Sequence, residues 1–236
     1  MNAVAKCFGA SAHSYHQKAT LQQDLGHELL ALMEGVYANT ILDLGCGPGL
    51  FFHQLKSMSE HVISMDLAYS MLKQNPSDQI KVQCDSQAIA IQGDAVDLVF
   101  SNLMIQWCNF KTVLDEVHRV LKPGGVAVIS TLLPGSLFEL ETAWQSVDDD
   151  NHVHQYQPLD QVINAIKNKQ WQYTQYSQKE FVYYYDNAIG LARELKSLGA
   201  NHVQGRQRSS LMSKGAWNKM EAAYKAQFSH KQTNKI

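Results

Sequence analysis

Three glycines alternate in TILDLGCGPG, at Gly45, Gly47 and Gly49, behind a short apolar run that begins at Thr40. Glycine lets a backbone approach a ligand closely, and the amides of a helix starting just beyond such a turn favour a negatively polarised group. Two acids belong to the same constellation. Asp43 stands two residues before the first glycine, and Asp66 closes a second apolar run about 20 residues on, where a carboxylate can accept both ribose hydroxyls of a nucleoside.

These residues need a scaffold, and the chain spells one out. The spacing predicts a strand at Thr40, a tight turn and a helix over Leu50 to Met58, then strands at His61 to Asp66 and Ile80 to Cys84 around a helix near Ala68 to Asn75. A fourth strand fits Val96 to Ser101. Val113, Leu114, Val117 and Leu121 mark a helix closed by Pro123 and Gly124, and Gly125 to Leu132 reads as a fifth strand. Alternation of this kind makes an α/β fold, a mostly parallel sheet with helices on both faces and right-handed crossovers. After Pro134 come helix signals at Leu137 to Val147, Asp160 to Asn168 and Asn187 to Leu198, an aromatic strand at Tyr173 to Tyr185, and an amphipathic segment with Trp217, Met220, Tyr224 and Phe228. Ahead of the first strand, Thr20 to Gly35 reads as a helix. Phe8 to Tyr15 is too polar and small for core and is expected to form a lid. No linker divides residues 1–236, so one domain is expected: lid and helix over 1–35, cofactor-binding core over 40–132, substrate-side helices and a basic end over 133–236.

Composition bounds the function. At 236 residues, 45% hydrophobic and 18% charged, the chain can bury roughly 70 to 75% of its unfolded surface, which excludes disordered and collagen-like classes. No run approaches the roughly 20 apolar residues of a membrane span, and the start, MNAVAKCFGASAHSYHQK, has no continuous apolar core, so a cytoplasmic protein away from membranes is expected. Cys7, Cys46, Cys84 and Cys108 form no CxxC pair, His152 and His154 stand alone, and no metal site is expected. The net charge of −2 conceals an asymmetry: from Arg193 to Ile236 there are nine Lys or Arg against Glu194 and Glu221, so this end carries +7 and the rest −9. That suggests an acidic partner, without the basic pI or interleaved aromatics of a nucleic-acid binder.

Two cofactors compete for a glycine loop of this kind, a nicotinamide dinucleotide and S-adenosylmethionine. Dinucleotide sites use GxGxxG, whereas LDLGCGPG has GxGxG with an acid two residues earlier. ILDLGCGPG, the Asp66 strand end, Cys84-Asp85 after the third strand, DLVFSN and EVHRVLKPGG together resemble the class I S-adenosylmethionine-dependent methyltransferases, whose fold is Rossmann-like. Further motifs, FGASAHSY, SNLMIQWC, STLLPGSLFELETAW and ARELKSLGA, spread over almost the entire chain, resemble the malonyl-[acyl-carrier protein] O-methyltransferases of biotin synthesis.

That resemblance implies transfer of a methyl group to the free carboxylate of a malonyl thioester, leaving S-adenosylhomocysteine, with malonyl-carrier protein or malonyl-CoA as substrate. It places Gly45, Cys46, Gly47 and Gly49 around the methionine portion, Asp66 at the ribose, Leu67 and Met71 on adenine, and Cys84, Asp85 and Ser86 around it, with Asp85 at the amino group. Asn102 and Leu103 should border the methyl, and Tyr15 should close the lid. Asp43 either faces the ligand or ties down the loop amides. Trp107 and Trp144 are site or core aromatics. Two departures stand out: where the family usually has Asn-Arg-Phe this chain has His154, Gln155 and Tyr156, and the polar KAQFSHKQTNKI predicts that the final antiparallel strand is missing, for which pairing as a homodimer would compensate. With that arginine absent, Arg193 is expected to clamp the malonyl carboxylate, with Lys196 and Arg206 as further candidates. A carboxylate is already ionised at neutral pH, so no general base is needed. The competing readings are a methyltransferase for another small acid or a quinone precursor, and a non-catalytic binding protein.

Overall fold

The computed structural model describes residues 3–201, 203 and 213–229. Two short helices, α1 (Ala3–Ser11) and α2 (Tyr15–Lys18), precede α3 (Thr20–Ala31). The central unit then runs β1 (Ala38–Leu44), α4 (Phe52–Ser57), β2 (Ser59–Asp66), α5 (Tyr69–Gln74), β3 (Ile80–Gln83), β4 (Val96–Ser101), a single 3-10 turn (Ile105–Trp107), α6 (Phe110–Val120) and β5 (Leu121–Ile129). Four helices follow: α7 (Phe138–Gln145), α8 (Leu159–Lys167), α9 (Ala188–Ser197) and α10 (Lys214–Phe228).

All strand pairs are parallel, in the order β3-β2-β1-β4-β5. β1 lies between β2 and β4, with Leu42 opposite Ile63 on one side and Val99 on the other. Its side chains alternate between two cores, as period-two geometry requires of a strand covered on both faces. Ile41 joins Val62, Leu98 and Phe100 under α3 and α4, packed with Leu29, Met33, Phe51 and Leu55. Leu42 and Leu44 face the opposite way and meet Met65, Val99, Val113, Leu114 and Val117 beneath α6. That helix buries Phe110, Val113, Leu114, Val117 and Val120 along one stripe, and Asn109 caps its start by accepting from Thr112 N. The α/β expectation therefore holds, because uninterrupted apolar strands have no solvent face to tolerate.

The strand order reverses between β1 and β4, which opens a crevice beyond the carboxyl ends of the strands. The later helices build a separate core beside it: Leu140, Ala143 and Trp144 from α7, Ala188 and Leu191 from α9, and Met220 and Tyr224 from α10. Trp144 is thus a core aromatic.

Three expectations are corrected. β5 starts at Leu121 rather than Gly125 and ends at Ile129, α6 having stopped at Val120. Tyr173 to Tyr185 forms no strand: the segment lies along α3, where Tyr183 donates to Asp24 at 2.6 Å and Lys179 pairs with Glu28. Strand propensity alone does not make a strand: β3 and β5 leave outer edges unpaired among the described residues, yet Tyr183 and Lys179 bond to side chains of α3 instead of joining a ladder. Finally, Phe8 to Tyr15 is not free of the core, since Ser11 and Ala12 are buried and Ala12 packs with Ala68 and Met71. No antiparallel strand occurs among the described residues, and no helix among them is long and apolar enough to cross a membrane.

Candidate active site

β1 delivers its last residue, Leu44, into the crevice, and the glycine turn follows. Gly45 has φ +74°, and a Cβ there would lie 2.2 Å from Met104 Cγ, so only glycine fits under that side chain. Gly47 has φ +55° with nothing within 4 Å of its missing Cβ, which leaves space for a ligand against bare backbone. The loop amides are held by the neighbouring strand: Gly45 N and Cys46 N donate to Met65 O at 2.8 and 3.0 Å. Gly47 N donates to Asp66 Oδ2 at 2.9 Å, and Ala68 N to Asp66 Oδ1 at 2.7 Å. Asp66, not Asp43, ties down the loop. Each of its oxygens keeps a lone pair for a further donor.

The crevice holds two contiguous pockets. The larger encloses about 780 Å³, part of it open to solvent. Gly45, Gly47, Asp66, Leu67, Met71, Cys84, Asp85, Ser86, Asn102 and Leu103 all line it, so the structure brings together most of the residues singled out in the sequence. Gln87 orients Asp85 by donating its backbone N–H to Asp85 Oδ1 at 2.9 Å. The lid closes one side with Val4, Ala5, Phe8 and Tyr15, and Phe8 meets Trp107 edge-on at 5.3 Å between ring centres. The smaller pocket, about 310 Å³, lies under the glycine loop among Tyr15, Gln22, Asp43, Cys46, Leu50, Phe51, Phe100 and Asn102. Tyr15, Gly45, Gly47 and Asn102 border both. Gly49 borders neither; with φ +80° it sits against Asn75, where a Cβ would come within 2.6 Å of the amide carbon.

Electrostatics here are one-sided. Among the described residues no Lys, Arg or His lines either pocket. Burial, with Asp66 nearby, pushes the Asp43 carboxyl up to about 8, and burial raises Asp66 as well, against the lowering effect of the amides it accepts. Gln22 Oε1, buried beside Asp43, has no hydrogen-bond partner among the described residues. Together these groups form an acidic, acceptor-rich surface on which a positively charged ligand bearing N–H donors would favour the ionised form of Asp43. Burial and then the charge of Asp66 hold the Tyr15 hydroxyl well above its usual range, so it stays protonated and can donate.

The expected carboxylate clamp is not in this site. Arg193 and Lys196 are exposed on α9 and border neither pocket, because the buried stripe of that helix is built on Ala188 and Leu191. Arg206 lies outside the described residues. α9 instead braces the lid: Ser11 Oγ donates to Lys196 O at 3.2 Å and Ser14 Oγ to Ser197 O at 3.2 Å, while Gly199 leaves room for the Phe8 backbone. The motifs FGASAHSY and ARELKSLGA are therefore two sides of one contact. Sequence reasoning missed Gln22, Gln87, Met104 and Cys108, and left Trp107 open; Met104, Trp107 and Cys108 lie within SNLMIQWC, but nothing in the spacing marks Gln22.

Residues 42–129 match a family described as a methyltransferase domain. Over 226 residues the chain is 33% identical to the malonyl-[acyl-carrier protein] O-methyltransferase of Salmonella typhimurium, covering 94% of this chain and 89% of that one. The protein of the same name from Serratia marcescens is 35% identical, with 94% and 88% covered. The biotin biosynthesis bifunctional protein BioHC of Cellvibrio japonicus is 35% identical over 94% of this chain, which spans 45% of that longer protein. Among solved structures, the YcgJ protein of Bacillus subtilis superposes with a TM-score of 0.60 at 15% identity, covering 84% of this chain and 83% of that one, a likeness of fold.

Proposed function

The chain belongs to the malonyl-[acyl-carrier protein] O-methyltransferase family, and from that premise we propose that it transfers a methyl group from S-adenosyl-L-methionine to the free carboxylate of a malonyl thioester on acyl carrier protein. The products are the methyl ester and S-adenosylhomocysteine, and the reaction serves biotin synthesis, as in the Cellvibrio japonicus relative. The observation that carries this reading is the double pocket at the sheet's switch point, which among the described residues is lined by no Lys, Arg or His and holds the buried Asp43, the half-buried Asp66 and a buried amide oxygen of Gln22 with no hydrogen-bond partner. It fits a cationic cofactor with an ammonium group.

When bound, S-adenosylmethionine supplies a methyl group on a positively charged sulfur. Asp66 would hold the ribose, Leu67 and Met71 the adenine ring, and Asp85 its amino group. Gly45 and Gly47 would leave room for the methionine portion, with Cys46 beside it and Asp43 and Gln22 accepting from its ammonium. Tyr15 and Asn102, which border both pockets, would meet the malonyl carboxylate.

No proton has to move before attack, because the carboxylate is the ionised form at neutral pH. Tyr15 and Asn102 offer neutral donors, which orient an anion without the ion pair that would lower its nucleophilicity. The lid, anchored by Ser11, Ser14 and Phe8, excludes water from a step in which opposite charges are annihilated, and positioning supplies the rest. Arg193 and Lys196, exposed where α9 meets the lid, serve the carrier protein rather than the carboxylate.

Methyl-labelled cofactor tests this. Label should pass to malonyl-carrier protein and leave the carrier on base treatment, as methanol from the ester or as monomethyl malonate from the cleaved thioester. Label that stays with the protein after base treatment would point to another acceptor.

A further inference from the structure

Beyond β4 the backbone takes an unusual course. Leu103 has φ +51°, one of three non-glycine residues in the left-handed region among those described, and a leucine has no intrinsic reason to be there. The distortion has a result: Leu103 lines the larger pocket, and the next side chain, Met104, is laid across Gly45.

What holds the turn is one hydroxyl from the end of the adjacent strand. Ser130, buried, bonds through its backbone N–H to Ser101 O at 2.9 Å, which fixes it beside the end of β4. Its Oγ accepts from Leu103 N at 3.0 Å and donates to Asn102 Oδ1 at 2.8 Å. Asn102 Nδ2 in turn donates to Gln22 O at 2.8 Å. Hydrogen counting makes this network directional. A serine hydroxyl has one proton; with its oxygen receiving the Leu103 N–H, that proton goes to Asn102 Oδ1. Reversing the carboxamide would set Oδ1 against the Gln22 carbonyl, acceptor against acceptor. One Nδ2 hydrogen is committed to Gln22, and the second is left for the pockets that Asn102 borders.

We propose that Ser130 is a positioning residue for methyl transfer: by locking the Asn102 carboxamide and the Leu103 turn, it makes Asn102 present an N–H rather than an oxygen to the incoming carboxylate. Ser130 itself borders neither pocket and touches no substrate. The inference rests on the malonyl-carboxylate reading above, since an anion is what requires a donor there.

The test compares wild type, Ser130→Ala, Ser130→Cys and Ser130→Thr for kcat and KM on malonyl-carrier protein, and for the cofactor dissociation constant by calorimetry. Misplacing a reacting group by about an ångström costs on the order of 100-fold. Ser130→Ala should therefore lower kcat by roughly 30- to 100-fold while the cofactor dissociation constant stays within about threefold, and Ser130→Thr, which keeps the hydroxyl, should recover most of the rate. Ser130→Cys, of similar size but a poor hydrogen-bonding partner, should resemble alanine and serves if the alanine variant does not fold. A kcat within about threefold of wild type in the alanine or cysteine variant would overturn the proposal, as would parallel loss of kcat, cofactor affinity and melting temperature without rescue by threonine. Wild-type protein inactive on malonyl-carrier protein would instead overturn the functional reading, and the proposal with it.

Discussion

Asp43→Asn should make the cofactor-free protein more stable at neutral pH while weakening its grip on the cofactor. In the folded protein the Asp43 carboxyl titrates at about 8, because it is buried and shares its surroundings with Asp66; in the unfolded chain an aspartate titrates near 4. The fold thus binds this proton more tightly than the unfolded state does. Stability must fall as pH rises between these values, by about 1.4 kcal/mol per unit; the penalty is absent below about pH 4 and complete above about pH 8. At pH 7 it amounts to roughly 4 kcal/mol, an upper figure because the pocket can relax around the charge. Asparagine has the same shape and does not ionise, so the variant should lose this slope. Urea denaturation of both proteins from pH 5 to 8, without cofactor, measures it. Asp97, Asp115 and Glu116, held low by Lys122, Lys169 and Arg119, act below this window. The difference between variant and wild type should widen by about 3 kcal/mol from pH 5 to 7. Parallel curves would refute the assignment of Asp43 as a proton-holding acid awaiting a cation.

Asp66→Ala should weaken S-adenosylmethionine binding by roughly 2 kcal/mol or more, since both carboxylate oxygens organise the loop and, on the proposed reading, would also accept from the ligand; calorimetry showing unchanged affinity would mean that the pocket is misread. Gly199→Ala should loosen the lid, because a Cβ there would lie 2.7 Å from the Phe8 Cα on a backbone at φ +76°, and should cost about 1 to 3 kcal/mol with faster amide exchange over residues 3–18. Normal protection of that segment would sink the lid contact. Arg193→Ala should keep full activity on malonyl-CoA and lose activity on malonyl-carrier protein at low salt, with the wild-type carrier preference fading as ionic strength rises. Equal losses on both substrates would restore Arg193 to the carboxylate.

The central sheet and the cofactor side of the site were legible because their signals are local. Apolar runs such as VDLVFS bury both faces, and glycines at 45, 47 and 49 with an acid before them leave few alternatives. What was not legible depends on partners far away in the chain. The small residues of α1 and the turn after it bury against Ala68 and Met71 with no apolar period to announce it. Tyr173 to Tyr185 has strand-forming residues, yet the segment is held by side chains remote in sequence, Tyr183 by Asp24 of α3 and Tyr185 by Glu194 of α9. For Arg193 a helix could be foreseen but not which of its faces would be buried, which α7 and α10 decide. Gln22 and Ser130 reach Asn102 across separations of 80 and 28 residues, so their chemistry exists only in the folded molecule.

The most direct measurement is the intact mass of carrier protein after incubation with this enzyme and S-adenosylmethionine, using malonyl-carrier and acetyl-carrier side by side. The malonyl form should gain one methyl group in place of a proton and lose it together with the malonyl group when the thioester is cleaved, while the acetyl form, which lacks a free carboxylate, should gain no methyl group. A malonyl-carrier that keeps its mass although the cofactor is bound, or an acetyl-carrier that gains a methyl group, would contradict carboxylate methylation.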